Sequence, residues 1–200
     1  MDTDGTVVIT GFGPFRQHFV NLSWTAAQSL QVAGLGRGES VHIKELPVSY
    51  LKTQQIIADL WQTLRPKLIV HLGIARGSKA VVLEQTGKNG GYADKDVSGV
   101  CPESRCCVQG GPEKLDSLIN MRSLSKQFKH MGTDVVYSRD AGGYVCDFAY
   151  YCSLYHGERR AALVHLPASG SRASTDRLVP LLQALIRTML QQLDAAPNTA

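Results

Sequence analysis

Short, continuous apolar runs alternate along this chain with segments that are apolar at helical spacing, and that alternation restricts it to α/β folds. Thr6-Val-Val-Ile-Thr10, Leu68-Ile-Val-His-Leu72 and Ala161-Ala-Leu-Val-His-Leu166 read as strands buried on both faces. Residues 41–47, 79–84 and 134–138 read as three further strands. Helical periodicity marks 23–33, 50–64, 115–130, a segment opening near Cys146 and closing near 155, and 175–193. The order predicts a three-layer α/β/α sandwich with a mostly parallel central sheet. One domain over 1–200 is expected, with a polar, Gly-rich excursion at 85–112 and a flexible tail at 195–200.

Composition removes several function classes. With 44% apolar and 19% charged residues the chain is of ordinary globular type. Its net charge of +4 is scattered, with no Lys/Arg stripe interleaved with aromatics, so nucleic acid is not an expected partner. The apolar runs are too short to span a bilayer, and no membrane partner is expected. Met1-Asp-Thr-Asp-Gly5 leads into the first strand without a charged and apolar leader, which points to the cytoplasm. Five cysteines, an odd number, agree with reduced thiols. Cys101, Cys106 and Cys107 lack a fourth ligand at zinc spacing, so they read as a Cys-rich surface excursion rather than a metal site.

Asp140-Ala-Gly-Gly-Tyr-Val-Cys146-Asp-Phe-Ala is the stretch that carries chemistry. It puts the thiol of Cys146 in a helix's first turn, where unsatisfied N–H groups and the helix dipole stabilise a thiolate. The competing reading is a small buried hydrophobe, and that is the reading for Cys152, on the apolar stripe with Val145, Phe148 and Ala149. A nucleophile needs a base. His18, His42, His130 and His156 fall on loops, an exposed strand face or helix ends. His71 and His165 both lie near the ends of buried strands, and spacing does not separate them. Glu84 closes an apolar strand, where a carboxylate can orient an imidazole; an ordinary solvated Glu is the alternative. Gly11-Phe-Gly-Pro-Phe15 lacks the third glycine of a dinucleotide loop, having Arg16 there, and offers instead an apolar slot for a flat ring. Asn21-Leu-Ser23 reads as a helix entry rather than a glycosylation site.

At these residues the chain resembles the pyroglutamyl-peptidase I family of cysteine peptidases, close to its vertebrate branch. The resemblance rests on four motifs in order: Val8-Ile-Thr-Gly-Phe-Gly-Pro-Phe15, Leu83-Glu-Gln-Thr-Gly-Lys-Asn-Gly-Gly-Tyr92, Asp140-Ala-Gly-Gly-Tyr-Val-Cys-Asp-Phe148 and Leu163-Val-His-Leu-Pro167. It implies a triad of Cys146 as nucleophile, His165 as base and acid, and Glu84 as the acidic member. It also implies that Phe12 and Phe15 hold a lactam ring, with Asn21 near that pocket. The implied substrates are peptides with N-terminal pyroglutamate, the implied cofactor none, and the expected assembly a monomer or weak homo-oligomer. The chain departs from the family pattern at Arg76, Val82, Gln85, Tyr137, Gly143 and the residues after Pro167. Those changes leave open a divergent paralogue that binds pyroglutamyl peptides with little catalysis, or another Cys-dependent amidase.

Overall fold

A computed structural model describes residues 5–16, 21–36, 38–168 and 173–196. Six strands form the central sheet: β1 (Thr6–Phe12), β2 (Ser40–Leu46), β3 (Leu68–Ala75), β4 (Val81–Glu84), β7 (Val135–Ser138) and β8 (Ala161–Pro167), in the order β2-β1-β3-β8-β4-β7. The first four in that order are mutually parallel. β4 runs antiparallel to β8, and β7 is parallel to β4. The reversal follows from chain length: residues 76–80 link β3 to β4, too few for a parallel crossover, which needs a dozen or more.

Alternation along the strands sorts side chains into two cores. Val7, Ile9, Val70, Leu72, Val164 and Leu166 face α1 (Leu22–Ala33), α3 (Met121–His130) and α5 (Thr175–Ala195). Val8, Ile69, Ala161 and Leu163 face α2 (Tyr50–Thr63) and α4 (Val145–His156). The mostly parallel α/β/α sandwich expected from the sequence is the observed architecture.

Two stretches differ from the sequence reading. The helix expected over 115–130 starts only at Met121, capped by Asn120, whose side chain accepts the Ser123 N–H at 2.9 Å. Before it, β6 (Lys114–Asp116) pairs antiparallel with β5 (Thr86–Lys88). The excursion at 85–112 is therefore bracketed by a small second sheet. It is also tied internally: the Asn89 side chain accepts the Val108 N–H at 2.8 Å and donates to the Val108 carbonyl at 2.7 Å, and Tyr92 is fully buried. Helix α5 continues to Ala195, and the remainder of the expected tail, 197–200, lies outside the described residues.

Candidate active site

His165 stands on the α4 side of the sheet, with Gly73 of β3 as its register partner on one flank and Val82 of β4 on the other. Glu84 lies opposite Leu163, one pleat away on the same face, and reaches diagonally so that its Oε1 is 2.9 Å from His165 Nδ1. Both side chains are buried, at 3% exposure for Glu84 and 6% for His165. The pairing directs the Nδ1–H to the carboxylate and leaves Nε2 for the opposite partner.

That partner is Cys146. Gly73 provides the floor beneath both groups: a Cβ on this glycine would fall 2.8 Å from Cys146 Sγ and 3.2 Å from His165 Nε2. The sulfur and the imidazole nitrogen thus hang over one point, and any side chain at position 73 would occupy their space. Burial disfavours the imidazolium, but its hydrogen bonds to Cys146 and Glu84 and the attraction of those two groups outweigh it, and His165 is pushed up to about 10. The second carboxylate oxygen, Glu84 Oε2, is buried without a hydrogen-bond partner among the described residues, so an imidazolium beside it offsets part of its burial.

Cys146 is the second residue of α4, after the N-cap Tyr144 in extended conformation. The first bond of the helix runs from Phe148 N–H to the Tyr144 carbonyl at 3.0 Å. The N–H groups of Val145, Cys146 and Asp147 precede it and have no acceptor within the helix. They add the positive end of the helix dipole to the site. Asp147 turns away: its buried carboxylate accepts the N–H of Gly143 at 2.9 Å and of Lys88 at 3.0 Å, which fixes the loop entering the helix.

A cavity of about 530 Å³ opens beside Cys146 and His165. Phe12 and Phe15 line it, Phe12 nearly fully buried and Phe15 packed on Tyr144 with ring centroids 5.7 Å apart. The loop that carries them hugs α1 because Gly11 permits it; a Cβ there would be 2.5 Å from Trp24 Cα. Phe12 N–H donates to Ser23 Oγ at 2.9 Å. Asn21 also borders the cavity. Its side chain is occupied as the α1 cap, accepting the Ser23 N–H at 3.0 Å and donating to the Gly13 carbonyl at 3.2 Å, as a helix-entry residue does.

The other histidines stand apart from this cluster. His71 is fully buried between Thr10 Oγ1 (2.6 Å from Nδ1) and Ser153 Oγ (2.7 Å from Nε2), and burial lowers it to about 3. His42, His130 and His156 are exposed, and His18 lies outside the described residues. Cys152 is fully buried in the α4 core. Several residues that depart from the family pattern have local structural tasks. Gln85 donates to the Ser117 and Ile119 carbonyls and accepts the Met121 N–H at 2.9 Å, shaping the entry to α3. The Tyr137 ring carries Arg122, whose Cζ lies 5.1 Å from its centroid.

The Pyroglutamyl peptidase family model matches residues 5–196. The chain belongs to the pyroglutamyl peptidase family. Pyroglutamyl-peptidase 1 of Rattus norvegicus is 45% identical over 192 residues, covering 95% of this chain and 92% of the rat protein. The human pyroglutamyl-peptidase 1-like protein is 39% identical over 173 residues, covering 86% and 88%. Among solved structures, a mutant pyrrolidone carboxyl peptidase from Pyrococcus furiosus superposes with a TM-score of 0.85 at 23% identity, covering 94% of this chain and 99% of that one. At that identity the likeness speaks for the fold.

In this pyroglutamyl peptidase family member, several residues around the candidate site gave little or no signal in the sequence. Gly73 gave no signal beyond following Val-His-Leu. Asp147 had one: an acid at the third helical position is the place from which a side chain reaches back to cap the entering loop. Tyr144, Arg16 and Asp94 border the cavity through loops that come together only in the fold.

Proposed function

We propose that this protein is a cysteine peptidase that hydrolyses the amide bond after an N-terminal pyroglutamyl residue. The observation that carries the reading is the position of His165, bonded to Glu84 through Nδ1 while Nε2 and Cys146 Sγ share the space above Gly73. Family membership supports the substrate class. A neutral lactam has no amine or carboxylate to grip, so a slot formed by Phe12 and Phe15 suits it.

In this reaction His165 carries the proton of Cys146, and the sulfur adds to the pyroglutamyl carbonyl. The N–H groups at the start of α4 face the developing oxyanion. The tetrahedral intermediate collapses by breaking the C–N bond, and His165 gives its proton to the departing amine. A water molecule, deprotonated by the same imidazole, then adds to the thioester. Collapse releases pyroglutamate and returns the proton to the Cys146–His165 pair. Glu84 orients the ring through Nδ1 and stabilises the imidazolium.

We place the protein in the cytoplasm as a monomer or weak homo-oligomer. The free state of all five cysteines and the scatter of exposed apolar side chains, such as Val32 on α1 and Leu51 on α2, support that reading. No described helix is long and apolar enough to cross a membrane. The test of the activity is release of a fluorogenic amine from its pyroglutamyl amide by the purified protein. Turnover at least about a thousandfold above that of Cys146→Ser is expected. Equal rates for the two proteins would refute the reading, and saturable binding without turnover would favour a binding protein.

A further inference from the structure

Phe15 carries two guanidinium groups. Arg16 Cζ lies 4.9 Å from its ring centroid and Arg76 Cζ lies 5.4 Å from it, both within cation–π range. Both arginines border the cavity that holds Cys146 and His165, and both are otherwise exposed. Neither forms an ion pair among the described residues. β3 connects one of them to the chemistry: Gly73 underlies the sulfur, and Arg76 is the first residue after the strand ends at Ala75. A guanidinium resting on an aromatic face is held in place while its N–H edge stays available. That edge matches the two oxygens of a carboxylate.

The acids of the same cavity do not cancel this charge. Asp140 is taken by Lys88 Nζ at 2.6 Å and by the Gly142 N–H at 3.0 Å, contacts that hold its carboxyl below the usual range. Glu84 is bonded to His165 at 2.9 Å, which leaves Asp94, beside Tyr50 and Tyr144, as the remaining acid among the described lining residues against two arginines. We propose that Arg16 and Arg76 form a carboxylate-binding subsite for the leaving half of the substrate, which makes Arg76 a specificity-determining residue. The proposal rests on the pyroglutamyl peptidase reading: with the lactam in the slot of Phe12 and Phe15 and the carbonyl at Cys146, the departing residue is assigned to the remaining part of the same cavity, which Arg16 and Arg76 border. The carboxylate has two sources, an acidic side chain next to pyroglutamate or the free α-carboxylate of a pyroglutamyl dipeptide.

The experiment compares kcat/KM for four substrates: pyroglutamyl-glutamate α-amide, pyroglutamyl-alanine, pyroglutamyl-alanine amide and pyroglutamyl-lysine amide. Each is measured at low salt and in about 0.5 M sodium chloride, where the Debye length falls to a few ångströms. At low salt an anionic substrate is expected to exceed the alanine amide by roughly three- to tenfold, the sum of two exposed charge contacts, with the lysine amide below both. The ratio should fall toward one at high salt and in Arg76→Met and Arg16→Gly, the latter suited to the positive φ of 55° at that position. Arg76→Lys, which keeps charge but not the planar fork, should retain part of it. Which anionic substrate shows the preference identifies the source of the carboxylate. A wild-type ratio near one, or a ratio unmoved by Arg76→Met, overturns the subsite. The same anion-to-amide ratio is read independently of turnover by calorimetric binding to Cys146→Ser. Absence of turnover on every substrate counts against the peptidase reading, whereas equal binding of acid and amide by Cys146→Ser overturns the subsite.

Discussion

Asp147 Oδ2 accepts the N–H of Gly143 at 2.9 Å, so the residue beside the proposed nucleophile braces the loop through which the chain enters α4. Its other oxygen accepts Lys88 N–H at 3.0 Å and ties that loop to β5. Burial raises the carboxyl above the usual range, and the two backbone donors oppose the shift. Asp147→Ala leaves two part-buried N–H groups without their acceptor, at a cost of up to about 1–3 kcal/mol each, less where water can replace the carboxylate. The expected result is a lowered midpoint in urea unfolding together with a fall in kcat, because the N–H groups at the helix start lose their fixed direction. Asp147→Asn, which keeps one acceptor oxygen, should fall between Ala and wild type in both measurements.

Glu84 selects the tautomer of His165. Glu84→Gln keeps the size but removes the charge, and an amide can present an N–H to Nδ1, inverting the bond. The expected loss in kcat is on the order of 10³- to 10⁴-fold, by analogy with loss of the orienting acid in other triads. The stability of the His165 imidazolium, whose pKa the Glu84 pairing helps push up to about 10, should fall as well, and the alkaline limb of the kcat/KM profile should move to lower pH than in wild type. A rate profile that keeps its alkaline limb in Glu84→Gln would contradict the role.

The two buried histidines set opposite pH limits on stability. His71 is held at about 3 by burial, below its ordinary 6.5. Between those values the unfolded chain takes up a proton that the native state does not, so stability is lost as pH falls from about 6.5 toward 3. His165 is raised to about 10, so the native state keeps a proton that the unfolded chain releases. Its stabilisation is complete below about 6.5 and is lost as pH rises through 10. Urea midpoints measured across pH should peak near 6.5. His71→Asn should flatten the acid side alone, and Glu84→Gln the alkaline side alone.

The same two residues show what the sequence could and could not reveal. His71 and His165 occupy adjacent parallel strands, each on a continuous apolar run, and both point toward α4. They differ by one pleat: Gly73, two residues beyond His71, is the register partner of His165. That offset brings His165 to Cys146 at the start of α4 and His71 to Ser153, seven residues and about 10 Å further along the helix. Periodicity reports a face but not which end of a helix lies over it, so only the family motifs separated the two. Strand existence was readable because burial on both faces leaves an apolar run. Strand direction in β4 was readable in principle from the short link at 76–80. The helix expected over 115–130 failed at its start because Lys114–Asp116 takes its partner from β5, a contact that local pattern does not encode.

Gly73 gives the sharpest test of how tightly the site is drawn. An alanine methyl would fall 2.8 Å from Cys146 Sγ, 3.0 Å from His165 Cδ2 and 3.2 Å from His165 Nε2. Contacts this short cannot be held, and the groups that give way are the reacting ones, because β3 is pinned between β1 and β8. A displacement of about 1 Å at a reacting centre costs on the order of 10²-fold in rate. Gly73→Ala is therefore expected to lose at least that much kcat while retaining native circular dichroism. KM for a pyroglutamyl amide should change far less, because Phe12 and Phe15 line the cavity and the atoms nearest the added methyl belong to Cys146 and His165. A Gly73→Ala protein with wild-type kcat would mean that Cys146 and His165 do not react from the positions they hold above β3.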